Sequence, residues 1–142
     1  MDFRKRLSGA LAFGAVMTAW SFSSGAAAAP AWSTPCGSDP GDHKIEVGTL
    51  VSCKLAVVSK SKANTITWKS IDTARPNVKI VFDDPDAFKN IKDCDGSHAQ
   101  CNSGAPTRPG NPNWVYLYKA YTCDKDGVTC SNPVDPGIII NP

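Results

Sequence analysis

Apolar and polar residues alternate with period two through much of the chain after residue 42, the spacing a strand needs to bury one face and wet the other. His43–Val47 alternates through Ile45 and Val47, and Thr49–Val58 through Val51, Cys53, Leu55 and Val57. Asn64–Lys69 places Ile66 and Trp68 on one face, and Asn77–Phe82 places Val78, Ile80 and Phe82 together. Trp114–Cys123 is longer and aromatic, and Ile138–Ile140 forms a last apolar strand. The links carry Gly, Pro, Asn, Asp and Ser, the residues that turns favour. No stretch after residue 28 shows a sustained 3.6-residue stripe; Asp84–Lys92 predicts one helical turn, with Phe88 and Ile91 on one side. Cys101–Asn113 holds three Pro and two Gly and predicts a long surface loop. Short strands separated by turn-rich links predict an all-β fold, a small sandwich or barrel.

The first 28 residues follow a different rule. Arg4, Lys5 and Arg6 precede an uncharged, mostly apolar run from Leu7 to Phe22, and small residues follow at Gly25 and Ala26–Ala29. That is the three-part pattern of a secretory signal peptide, with cleavage expected after Ala28, and the apolar run is short for a permanent span. The expected organisation is a signal peptide over 1–28 and one domain over 29–142, secreted or periplasmic. The segment takes three of the 15 Lys and Arg and one of the 13 Asp and Glu with it, so the remaining chain is formally neutral. A neutral domain has no electrostatic argument for nucleic acid, and none for stable membrane attachment after cleavage.

Six cysteines remain, at 36, 53, 94, 101, 123 and 130. An even count in an exported chain predicts three disulfides, among 15 formal pairings for six cysteines. Cys94 and Cys101 bracket a Gly-containing turn, as do Cys123 and Cys130, so each pair can meet locally, which leaves Cys36 with Cys53. No Cys-x-x-Cys supports a zinc site.

Two stretches carry a family likeness. Thr65-Ile-Thr-Trp-Lys-Ser-Ile-Asp-Thr-Ala-Arg-Pro-Asn-Val-Lys-Ile80 has an apolar-Trp strand, a polar turn with Asp, and a Pro-led second strand. Tyr121-Thr-Cys123 is followed by a loop and then Gly137-Ile-Ile-Ile140. Together they resemble the cupredoxins, the plastocyanin-type Greek-key sandwiches. The resemblance implies that scaffold and argues against its metal. A blue-copper site needs two His and a Cys thiolate, usually with a weak axial Met. Asn77 stands at the first His position, no His follows Cys123, and both Met residues, 1 and 17, lie in the signal segment. No cofactor is expected.

Candidate chemistry is sparse. His43 and His98 have no visible partner, and Ser52-Cys53 and Ser97-His98 are mere sequence neighbours. Asp83, Asp84, Asp86, Asp93 and Asp95 crowd 13 residues, a composition that suits Ca²⁺ or, more simply, a solvated loop beside Lys89 and Lys92. Asp124-Lys-Asp-Gly127 predicts a hairpin turn. Trp114, Tyr116 and Tyr118 share one strand face, opposite Val115 and Leu117. If the aliphatic pair points inward, the three aromatics form an external strip for a sugar or a protein; otherwise they fill the core. The expected role is a non-catalytic binding or interaction module with a protein or carbohydrate partner. Two alternatives stand beside it: a copper-handling or redox protein, and a hydrolase inhibitor built on the Cys94–Cys101 loop.

Overall fold

The computed structural model describes residues 34–142 except residue 38. The expected signal segment, 1–28, lies outside them. The described chain is all-β, with strands β1 (His43–Val47), β2 (Leu55–Ser59), β3 (Ile66–Ser70), β4 (Asn77–Phe82), β5 (Asp95–His98), β6 (Gln100–Asn102), β7 (Val115–Cys123) and β8 (Gly137–Asn141), and one 3₁₀ turn at Ile91–Asp93. They form two mixed sheets, ordered β1-β3-β6 and β2-β8-β7-β4-β5. β1 runs parallel to β3 and β2 parallel to β8; the other pairings are antiparallel.

One core lies between the sheets. Ile45, Val47, Ile66 and Trp68 from the smaller sheet meet Ala56, Val58, Val78, Ile80, Phe82, Tyr116, Tyr118, Ile138 and Ile140 from the larger. Its centre is aromatic. Trp68 Nε1 donates to the Tyr118 hydroxyl at 3.1 Å, inside a fully buried setting. The Phe82 ring stacks on Tyr118 at 4.9 Å between centroids, and Trp68 meets Tyr118 edge-on at 5.5 Å. Burial satisfies the aromatic area, and the one hydrogen bond removes the cost of an orphaned indole N–H. Val78, Ile80 and Phe82 share the inner face of β4, as their alternation predicts. β8 is apolar at three consecutive positions because it lies between β2 and β7 and is covered on both faces.

Three disulfides close the frame: Cys36–Cys53, Cys94–Cys101 and Cys123–Cys130. The pairing is the one the spacing favours. Cys94–Cys101 closes the β5–β6 link, where the chain leaves the five-stranded sheet for the three-stranded one. Such bonds persist in oxidising compartments. No helix among the described residues is long and apolar enough to cross a membrane.

Four local expectations change. The strand expected over Thr49–Val58 begins only at Leu55. Residues 48–52 fold back on β1 instead, with Ser52 N–H on the Glu46 carbonyl at 3.0 Å and a bridge between Val47 and Val51. Val51 and Cys53 are buried all the same, and alternation reports burial rather than pairing. The helical turn over Asp84–Lys92 shrinks to the 3₁₀ turn at its end. The Cys101–Asn113 loop is not wholly superficial: Ser103 and Pro106 are buried, and Ser103 Oγ accepts from Ile66 N–H at 2.9 Å. β5 and β6 are polar, and no strand was expected over them; disulfide closure and pairing with β4 and β3 make them strands.

The β2 edge of the larger sheet is shielded. Cys36 N–H and Gly41 N–H bond the Leu55 and Val57 carbonyls along the free edge of β2, and His43 Nε2 lies 2.9 Å from Val57 O. A covered edge cannot recruit a foreign strand.

Candidate functional site

The aromatic strip does not exist as a surface. Tyr118 is 1% exposed and Tyr116 9%, both in the core, while Trp114 is 43% exposed. The inward face of β7 carries Tyr116, Tyr118, Ala120 and Thr122; Leu117 and Lys119 point outward. The aromatics point inward because the core can take their area. Trp114 escapes because it precedes Val115, where the strand begins, and its position is set by a turn. Asn111 Oδ1 accepts from Asn113 N–H at 3.0 Å, Asn111 O accepts from Trp114 N–H at 3.1 Å, and Asn111 N–H is anchored to Ile140 O at 2.6 Å. Asn-Pro-Asn suits this side-chain-closed turn.

Beside the indole lies an open cleft of about 850 Å³, lined by Asp83, Asp84, Arg108, Asn111, Trp114 and Leu117, among others. That volume is within the range of ligand pockets. Its polar wall is pre-ordered. Arg108 Nε donates to Asp84 Oδ2 at 2.7 Å and Nη2 to Oδ1 at 3.0 Å, a two-pronged pair, with Asp86 3.6 Å away. The Arg108 side chain holds the Asp84 carboxyl below its ordinary value of 3.8. Partial burial pushes the Tyr116 phenol up, with Asp84 adding to the shift. The Arg108 loop is strapped to the Asp84 segment by Thr107 N–H on Ala87 O at 2.9 Å and Lys89 N–H on Ala105 O at 3.0 Å. The Thr107 hydroxyl also donates to Asp86 O. Asp83 N–H bonds Leu117 O at 3.1 Å, which continues the β4–β7 pairing and sets Asp83 opposite Leu117 at the cleft. Its carboxylate has no hydrogen bond or ion pair among the described residues.

Arg108, Asp83, Asp84 and Asn111 were not expected as a group. Arg108 and Asp84 are 24 residues apart, and each sits in a turn-rich stretch that reads as plain surface. Only the local Asp cluster was visible, and it disperses. Asp84 and Asp86 turn to Arg108, while Asp95 caps its own turn, with Oδ1 3.0 Å from Ser97 N. Among the described residues no three His, Cys, Asp or Glu side chains converge as a metal site would require.

Ser97 Oγ lies 2.5 Å from Asp95 Oδ1 and 2.8 Å from His98 Nδ1. The hydroxyl is thus between acid and imidazole, whereas nucleophile activation needs the imidazole between acid and hydroxyl. His43 pins the β2 edge instead of facing a cavity. Asp124–Gly127 forms the expected turn, with Gly127 N–H on Asp124 O at 2.8 Å and Gly127 at φ +72°. Asn77 and Cys123 are opposite each other across β4 and β7. An amide and a sulfur already bonded to Cys130 are not the imidazole and thiolate that hold type-1 copper, so the donor set does not fit that ion.

No protein-family model, curated protein or solved structure matches this chain.

Proposed function

With no relative to borrow from, we propose that this chain is an exported, non-catalytic binding module: a cupredoxin-like Greek-key sandwich without copper, whose ligand is a carbohydrate held at the Trp114 cleft. The observation that carries the reading is the exposed indole. Trp114 is the only aromatic among the exposed large apolar side chains of the described residues, and it lines a cleft that also holds the fixed Arg108–Asp84 pair. A sugar ring offers an apolar face to an indole and hydroxyls to carboxylate and amide acceptors. The cleft joins the indole and Leu117 to Asp83, Asp84 and Arg108, the mixture of apolar face and polar groups that a sugar ring matches. Export rests on the N-terminal pattern and on the three disulfides.

Affinity electrophoresis against neutral and charged polysaccharides, with titration of the intrinsic Trp fluorescence, tests the reading. At least one polysaccharide should retard the wild type, and Trp114→Ala should abolish the retardation while leaving the circular dichroism unchanged. Retardation that survives in Trp114→Ala overturns the assignment of the site.

A further inference from the structure

We infer that the saccharide taken by this cleft carries a protonated amine, as a deacetylated hexosamine chain does. The inference rests on the Trp114 cleft being a saccharide site and adds the charge of the ligand. The cleft's only cation among the described lining residues, Arg108, is engaged twice over: by Asp84 through two hydrogen bonds and by Asp86 at 3.6 Å. Asp84 and Asp86 thus share one guanidinium, while a third carboxylate, Asp83, lines the cleft, is exposed and makes no hydrogen bond or ion pair among the described residues. Lys119, on the same outward face of β7, makes no ion pair with it. Of the other polar side chains in the lining, Asn111 uses its Oδ1 in its own turn and Tyr116 is largely buried, and neither carries a charge to offset Asp83.

The site therefore presents a carboxylate without an ion-pair partner in the same cleft as an aromatic face. Both features favour a cation: the carboxylate by direct attraction, the indole through its negative ring face. An anionic sugar such as a uronate meets repulsion from Asp83 and finds Arg108 closed off by its carboxylates. A neutral sugar offers Asp83 hydroxyl hydrogen bonds but no opposite charge. An amine on the ring adjacent to the stacked face satisfies carboxylate and indole together.

Chitosan and N-acetylated chitin tetrasaccharides differ at the amine and little else, so they separate charge from shape. Titrations of the full mature chain at pH 5.5, where the amine is protonated, should give about fivefold tighter binding of the amine form, the scale of an exposed charge pair. Asp83→Asn should remove that preference. Trp114→Ala should weaken both. If both oligomers bind the wild type equally through Trp114, the charge inference falls and the cleft reading stands. If neither binds, both fall. A preference that persists in Asp83→Asn also overturns the inference, because the attraction then comes from elsewhere. Trilysine binding as tightly as the amino sugar would overturn the saccharide part and assign the cation to a peptide.

Discussion

Tyr118 and Trp114 stand four residues apart, one within β7 and one just before it, and their surroundings are opposite. Tyr118 is enclosed by Trp68 and Phe82 and has a hydrogen bond to the indole. Trp114 is close to half exposed beside an open cleft. The same contrast runs across the five-stranded sheet. Its inner face packs against the second sheet over a single large cluster; its outer face carries only a small one, Leu55, Val115 and Ile139, then opens at Leu117 and Val81. One strand thus provides stability on one side and lines an open cleft on the other. A side chain on the inner face answers to packing, and one at the cleft is free to answer to a ligand.

Truncating one aromatic on each side breaks the comparison most directly. Trp68→Ala should cost about 3–5 kcal/mol in urea unfolding, since it removes a fully buried indole from the centre of the core. Trp114→Ala should shift stability by no more than about 0.5 kcal/mol, as an exposed substitution does. Equal losses at the two positions would mean that the outer face is packed like the inner one.

The next effect concerns what holds the second sheet in place. Opening Cys94–Cys101 by a paired Cys94→Ser and Cys101→Ser change should cost roughly 2.5 kcal/mol, from the entropy of an eight-residue loop. Amide exchange should accelerate first in β6 and β3, which the link holds to the larger sheet, and later in β7.

Tyr118→Phe should cost about 1–2 kcal/mol at pH 7, because Trp68 Nε1 is left buried without an acceptor. It should also flatten the alkaline limb of the stability curve. Burial raises the Tyr118 phenol above its ordinary 10.0, so its contribution is complete below pH 10 and is lost as the pH climbs toward the folded value.

The smallest effect belongs to the outer face, at the other end of the pH scale. Asp84 is lowered by Arg108, and Asp95 by Ser97. A lowered carboxyl contributes stability above its ordinary 3.8 and loses it as the pH falls through the folded value. Urea midpoints should therefore drop modestly between pH 5 and pH 2.5, and Arg108→Gln should shrink that drop. An unchanged acid limb in Arg108→Gln would show that the pair adds nothing to folding, as many exposed pairs do.

The chain's own pattern determined the all-β class, the span of β4 and the approximate place of every long strand, because alternation and turn residues act over a few neighbours; it favoured one cysteine pairing of 15, and the folded chain decided it. At Thr49–Cys53 the same pattern misled: a residue can be buried by folding back on β1 as well as by pairing in a sheet. β5 and β6 were invisible because their residues are polar and their pairing depends on β4 and β3. Only the tertiary structure decided which face of β7 is inside. Both faces carry large apolar residues, so local hydrophobicity does not choose between them; the second sheet does, by offering its apolar side to Tyr116 and Tyr118. The cleft was decided at the same level. Asp83, Arg108 and Trp114 come from three separate stretches, and they share a site because β4 pairs with β7 and Arg108 closes on Asp84.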